Sequence, residues 1–239
     1  MHTKGSELVL QIVNKKQYLL EEKSDDILKA LTCDESQKII NTSGEFRSRI
    51  YTPLKTIYTF VKQVLSPDKS CKNAVSEVAV KRLLDGQEPV STNTGSYTKA
   101  RARLPEKVIY SLVKSVGLSS VEKALSCWKP YGREIKVFDG TTITLQDSKA
   151  NNIAYPKHSN ANRNVGLPQL RLVAVLSLTT GGVVDYAMGA VKGKGTGEIS
   201  LLRSILNCIN EMDIVIGDRL FCNFFCNRQT NRIYTSPLK

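Results

Sequence analysis

Histidine is almost missing from this chain: two occur in 239 residues, at positions 2 and 158. His158 sits in Tyr155-Pro-Lys-His-Ser159 with no Gly-x-Ser-x-Gly elbow to pair with it, so a nucleophile-and-base triad finds no support and a loop histidine is expected. The six cysteines, at 33, 71, 127, 208, 222 and 226, include no Cys-x-x-Cys pair. Cys222 and Cys226 are four apart, but neither histidine stands at a ligand-like spacing from them, which argues against structural zinc. Free thiols of a reducing compartment are expected instead. Long apolar runs are absent too. The densest, Leu172-Val-Ala-Val-Leu-Ser-Leu178, is strand-length, far from the roughly 20 residues of a spanning helix. The first residues, Met-His-Thr-Lys-Gly-Ser, lack a signal-peptide pattern, so a cytoplasmic protein without a membrane partner is expected. No internal repeat or low-complexity tract appears. Acid is scarce: 22 Asp and Glu face 34 Lys and Arg, a formal net charge of +12, which favours a polyanionic partner, with nucleic acid ahead of an anionic membrane. A basic surface that serves only solubility is the plainer alternative.

What is present falls into two parts. Residues 1–130 carry helical periodicity. Leu54, Ile57, Tyr58, Val61, Val64 and Leu65 repeat at helical spacing after Pro53, and Ser66-Pro67-Asp68 ends that helix. A second helix over 71–84 would bury Ala74, Val75, Val78, Ala79 and Leu83 and stop at Asp85-Gly86. A third, basic helix is expected over 96–104, and Pro105 opens a fourth that runs to Gly117. Lys99, Arg101 and Arg103 on the third helix would grip phosphates of DNA in a helix-turn-helix-like surface; a solvated helix face explains them equally well. Arg47 and Arg49 are weaker candidates of the same kind.

Near Lys129-Pro-Tyr-Gly132 the periodicity changes to that of strands, and the expected order is strand, strand, strand, helix, strand. The first strand, 135–145, places Ile135, Val137, Asp139 and Thr141 on one face. A strand pair over 170–178 and 183–191 turns at Thr180-Gly181-Gly182, a helix follows over 197–212, and Asp213-Ile-Val-Ile-Gly-Asp218 closes the series. The segment 147–168 is expected to be a long loop or small insertion, with Asp147 a turn residue. If the first and last strands pair, Asp139 and Asp218 become neighbours. Two such carboxylates suit Mg²⁺, with Mn²⁺ able to substitute. Two ions about 3.5 to 4 Å apart can activate a water or a 3′-hydroxyl in phosphoryl transfer. Ordinary strand-end aspartates are the simpler explanation of the same residues.

Gly193-Lys-Gly-Thr-Gly-Glu198 follows a strand and opens a helix, where a phosphate-binding loop would sit. It is not a nucleotide-hydrolysing loop, because Lys194 is followed by Gly195 and position 188 is Met rather than Gly. Lys192 and Lys194 at that turn are candidates for a DNA phosphate, beside the alternative of a glycine-rich turn that merely feeds a helix.

Taken together, Tyr51-Thr-Pro-Leu54, Val64-Leu-Ser-Pro-Asp68, Thr94-Gly-Ser-Tyr97, Ala100-Arg-Ala-Arg-Leu-Pro105, Phe138-Asp-Gly-Thr-Thr142, Leu170-Arg-Leu-Val-Ala174, Gly193-Lys-Gly-Thr-Gly-Glu198 and Gly217-Asp-Arg219 resemble the bacterial insertion-sequence transposases of the insertion-sequence-four group. The likeness runs from about residue 45 to 225. It implies an α+β or α/β chain: a helical, DNA-binding domain over 1–130 and the first half of a ribonuclease H-like mixed sheet with its helix over 131–225. It also implies a DDE enzyme that cuts and rejoins double-stranded DNA with Mg²⁺ at the terminal inverted repeats of its own element, working as a homodimer in a synaptic complex. Asp139 takes the place of the first acid and Asp218 of the second, with Arg219 beside it as a further DNA contact. The family's third acid is a glutamate well downstream, and no Glu follows Glu211 in this chain. The tail 226–239 is polar and basic where an apolar helix is expected. A frameshift or premature stop in a decaying element accounts for both departures, and a natural tail is the alternative. The enzyme therefore stands beside two other possibilities, a DNA-binding product without cleavage and a small ribonuclease H-like nuclease in which Glu198 is the nearest further acid.

Overall fold

A computed structural model of the chain describes residues 26–44, 50–157, 159–160, 163–164 and 166–218. The sites assigned from sequence to Arg47, Arg49, His158, Arg219, Cys222, Cys226 and the tail 226–239 lie outside the described residues. The chain divides into two compact units, Met1–Leu112 and Val113–Lys239. The division falls inside a helix, whereas the change from helical to strand periodicity comes later, at Ile135.

In the first unit, a helical run over 26–32 breaks at Cys33 and resumes as α1 (Asp34–Asn41). Helix α2 (Pro53–Leu65) starts where the sequence says it must: Pro53 needs no amide partner, and the Thr52 hydroxyl accepts from Lys55 N–H at 3.2 Å. Helix α3 (Cys71–Leu84) is capped the same way by Ser70, whose oxygen accepts from Asn73 N–H at 3.1 Å. It stops at Gly86, whose φ of +68° is a left-handed conformation that favours glycine. Helix α4 (Gly95–Arg103) ends before Pro105, and α5 (Glu106–Lys123) follows. Two apolar clusters hold the unit. Leu31, Ile40, Ile57, Val108 and Leu112 form one, and Tyr51, Ala74, Val75, Tyr97 and Ala100 form the other.

The second unit is built on a four-stranded sheet of β1 (Ile135–Thr144), β4 (Gln169–Ser177), β5 (Val183–Ala190) and β6 (Ile214–Ile216), in the order β5-β4-β1-β6. Strands β1, β4 and β5 are antiparallel, and β6 runs parallel to β1. Between β1 and β4 lie α6 (Lys149–Ala154) and the short pair β2 (Ser159–Asn160) and β3 (Arg163–Asn164), in the stretch expected to be loop or insertion. Helix α7 (Glu198–Ser204) packs on one face, where Phe138, Val173, Val175, Val184, Leu202 and Val215 are buried together. The chain is thus an α+β protein with a mixed sheet. Among the described residues no helix is long and apolar enough to cross a membrane.

Two elements differ from expectation. Helix α5 does not stop at Gly117 but continues to Lys123. A Cβ at residue 117 would lie 2.1 Å from the carbonyl oxygen of Val183, so the glycine permits a close approach of helix to strand rather than ending the helix. The helix expected over 197–212 is shorter, giving way after Ser204 to a 3₁₀ turn, Leu206–Cys208. There the backbone bonds are diverted: the Cys208 carbonyl accepts from Lys136 Nζ at 2.5 Å, and Asn210 N–H donates to the Asp213 carboxylate at 2.7 Å. The apolar spacing of Leu201, Ile205 and Cys208 survives because both helix types return these side chains to the core.

Candidate functional site

Strand alternation separates the two faces of β1. Lys136 and Phe138 are buried, Phe138 with Leu201 and Leu202 of α7, whereas Asp139 belongs with Val137 and Thr141 on the opposite face and is exposed. Parallel pairing sets Ile135 opposite Ile214, Lys136 opposite Val215 and Val137 opposite Ile216. Two residues beyond the last pair come Asp139, still within β1, and Asp218, just past the end of β6. Both are exposed. One Asp139 carboxylate oxygen accepts from Gly140 N–H at 2.9 Å. Across β1 on its other side the partner of Asp139 is Ala174.

Glu198, the nearest further acid from sequence, lies on the other face of the sheet. A Cβ at Gly140, which alternates with Asp139, would meet the Glu198 carboxyl carbon at 3.1 Å. Glu198 is engaged there by Arg171, whose Nε is 3.7 Å away, and Arg171 also donates to the Thr196 carbonyl at 2.9 Å. Among the described residues, no group of three or more His, Cys, Asp or Glu side chains is placed to hold a metal ion. Asp147, expected to be a turn residue, lies in the irregular segment before α6 and accepts from Asn152 and from Lys157, each at 2.7 Å. The Lys157 and then the Asn152 hydrogen bond hold its carboxyl below the usual aspartate value.

The basic candidates separate by environment. Lys99 and Arg103 are exposed and four residues apart on α4, with Arg103 Nε donating to the Lys99 carbonyl at 3.1 Å. Arg101 lies along the inner side of the helix, 4.4 Å over the Phe60 ring and 5.6 Å from that of Tyr97. The three do not form one phosphate-facing row, because residues two apart on a helix point in nearly opposite directions. Lys192 and Lys194 are exposed on the loop after β5. That loop is shaped by Gly193 and Gly195 at positive φ and tied to the sheet through Arg171.

Sequence reasoning missed the buried charges of this unit. Lys136 and Asp213 form an ion pair at 2.6 Å with side chains 3% and 6% exposed. Lys114 pairs with Asp185 at 2.6 Å, the carboxylate being 1% exposed. A signal existed for the first: Lys136 occupies an inward position of β1, on the same face as Phe138, and a lysine there requires a buried partner. No family model matches the chain, and no curated protein or solved structure matches it either.

Proposed function

We propose that this chain is a DNA-transposing protein of the DDE class, of the insertion-sequence-four type, whose second unit is a ribonuclease H-like half-sheet. The observation that carries the proposal is the parallel pairing of β1 with β6, whose last paired residues, Val137 and Ile216, each stand two residues before an aspartate, Asp139 and Asp218, 79 residues apart in sequence. An antiparallel β5-β4-β1 sheet extended by a parallel β6 after a helix supports the same reading. The donor set fits a hard divalent cation, since carboxylate oxygens suit Mg²⁺ and Mn²⁺. When bound, such an ion supplies charge stabilisation for phosphoryl transfer.

The chain's own residues divide the remaining work. Asp139 is carried on a hydrogen-bonded strand and Asp218 follows the strand paired beside it, and the Gly140 amide orients one oxygen of Asp139. Lys99, Arg103, Lys192 and Lys194 grip the phosphates of double-stranded DNA, whose specific sequence would be the terminal inverted repeats of the element. Arg101, seated on Phe60, supports the helix that carries Lys99 and Arg103.

The test is a Mn²⁺ titration together with a nicking assay on inverted-repeat DNA. Binding to duplex should weaken steeply as salt rises, and Lys99→Ala with Arg103→Ala should flatten that dependence. Weak Mn²⁺ binding that falls further in Asp139→Asn and in Asp218→Asn supports the carboxylate pair. Equal Mn²⁺ affinity in wild type and both variants removes it. Salt-dependent DNA binding with no nicking at any Mg²⁺ concentration leaves a DNA-binding protein that does not cleave.

A further inference from the structure

The helical unit contains a cavity of about 260 Å³ between α2 and α3. Its lining is of two kinds. Leu54, Tyr58 and Val78 give it apolar walls, while Lys55, Lys62, Lys81 and Arg82 bring four cations against the two carboxylates of Glu77 and Asp85. The excess is two positive charges. Lys62 is drawn to Glu77 at 3.8 Å, which leaves Lys55, Lys81 and Arg82 with Asp85 among them. Burial, reinforced by the charges of Arg82 and Lys81 and opposed by Asp85, holds the Lys55 ammonium below its ordinary value. Cations gathered this way repel one another unless an anion joins them.

Two buried polar atoms of the same lining have no hydrogen-bond partner: Thr59 Oγ1 and Arg82 Nε. Thr59 is 4% exposed. A helical threonine ordinarily returns its hydroxyl to the carbonyl four residues back, as Thr56 does to Thr52 at 2.7 Å on this same helix. Thr59 does not. Leaving such a group unsatisfied costs on the order of 1–3 kcal/mol, so an unpaired hydroxyl and an unpaired Nε–H in one lining, the latter on a guanidinium whose Nη2 donates to the Glu88 carbonyl at 3.4 Å, mark a place for an acceptor. The size of the space narrows the choice. A water occupies about 30 Å³, and an inorganic anion would leave most of the cavity unfilled. The volume lies just below the range of about 300–1,000 Å³ typical of small-molecule sites.

We propose that the cavity binds a 5′-phosphorylated nucleotide, the dianionic phosphate among Lys55, Lys81, Arg82 and the Thr59 hydroxyl, and the sugar and base against Leu54, Tyr58 and Val78. Two excess positive charges match a phosphomonoester dianion, and the guanidinium offers the fork that phosphate oxygens accept. The same chemistry is offered by a free nucleotide and by the 5′-phosphorylated end of a DNA strand. The site stands apart from the Asp139 and Asp218 pair and does not depend on it.

Titration of the full chain with deoxyadenosine 5′-monophosphate, followed by calorimetry and by ³¹P NMR, tests this. Deoxyadenosine without phosphate, and inorganic phosphate without the nucleoside, should each bind more than about tenfold more weakly than the nucleotide. Lys55→Ala and Arg82→Ala should each weaken the nucleotide about tenfold or more. Thr59→Val, which keeps shape and removes the hydroxyl, should weaken it about fivefold without altering thermal unfolding beyond a small shift. Lys107→Ala, an exposed cation outside the cavity, should change nothing. A parallel titration with a single-stranded oligonucleotide, with and without its 5′-phosphate, separates the two sources. Variant-sensitive binding of the mononucleotide assigns a free nucleotide, and variant-sensitive binding confined to the 5′-phosphorylated strand assigns a strand end. The proposal is overturned if neither ligand binds, if deoxyadenosine binds as tightly as its phosphate, or if Arg82→Ala and Thr59→Val bind both ligands like wild type.

Discussion

The two units bury polar groups by opposite means. In the sheet unit, Lys136 with Asp213 and Lys114 with Asp185 place full charges in or against the interior, and the Glu134 carboxylate is buried on the Ser177 hydroxyl. In the helical unit the buried polar contacts are neutral: Tyr97 donates to Gln63 at 2.7 Å, Gln63 passes its own N–H to the Lys69 carbonyl at 2.8 Å, and Ser36 bonds the Ala30 carbonyl at 2.7 Å. Its ion pairs among the described residues, Lys29 with Asp26 and Lys62 with Glu77, lie nearer the solvent. Trimming one member of a neutral network leaves a buried group unsatisfied at a cost of about 1–3 kcal/mol, whereas a buried charge deprived of its partner, left in a medium that solvates it poorly, costs more, about 3–5 kcal/mol. The sheet unit should therefore be the one that electrostatic substitutions break.

Asp213→Ala gives the largest expected effect. It leaves the buried Lys136 without its carboxylate and should destabilise the sheet unit by about 3–5 kcal/mol in urea unfolding, read from hydrogen exchange of β4. The double change Lys136→Met with Asp213→Leu removes both charges and should recover most of that loss. A single variant as stable as wild type would erase the contrast between the units.

Gly117→Ala sharpens the comparison from the side of packing. Helix propensity alone would favour alanine by about 1 kcal/mol. The added Cβ meets the Val183 carbonyl at 2.1 Å, and the crowding should win, with a net destabilisation of about 1–3 kcal/mol. A raised Tm in thermal unfolding would show that helix and strand separate at no cost.

Tyr97→Phe tests the neutral network and should cost the helical unit about 1–2 kcal/mol, because the Gln63 oxygen loses its donor. The same phenol sets an alkaline limit. Burial pushes Tyr97 up to about 12, while an unfolded tyrosine titrates near 10. Its contribution is whole below about pH 10 and is lost as pH rises from there through about 12, since the unfolded chain releases the proton first. Unfolding measured at pH 9 and pH 11 should show that loss in wild type, and Tyr97→Phe should reduce it.

Much of the architecture was legible because it is local. Pro53 after Thr52, Ser70 before Cys71 and Asp85-Gly86 mark helix ends through the chemistry of orphan amides and carbonyls, which neighbouring residues satisfy. The strand 135–144 showed itself by alternation, and the apolar run 214–216 by its brevity and its flanking aspartates. Gly117 misled for a reason equally physical: glycine serves both as a helix terminator and as a point of close approach, and only the position of Val183 tells the two apart. On α4, Arg101 is set apart from Lys99 and Arg103 by its place over Phe60, a residue of another helix that no local pattern points to.

For the candidate site, the sequence by itself determined the kinds of group available: an aspartate within one strand and another just after a second, few histidines, an excess of twelve positive charges. It also determined which side of β1 each residue occupies, since alternation along a strand needs no partner. Only the tertiary structure decided that β6 lies beside β1 and in parallel, that Asp139 and Asp218 each come two residues after the last paired residues, Val137 and Ile216, and that Glu198 stands on the opposite face with Arg171. The cavity between α2 and α3, with its unpaired Thr59 hydroxyl, belongs to the same category. Strand neighbours and helix clefts join residues far apart in the chain, and their pairing is set by which apolar faces can be buried together, a property of the whole core rather than of any one segment.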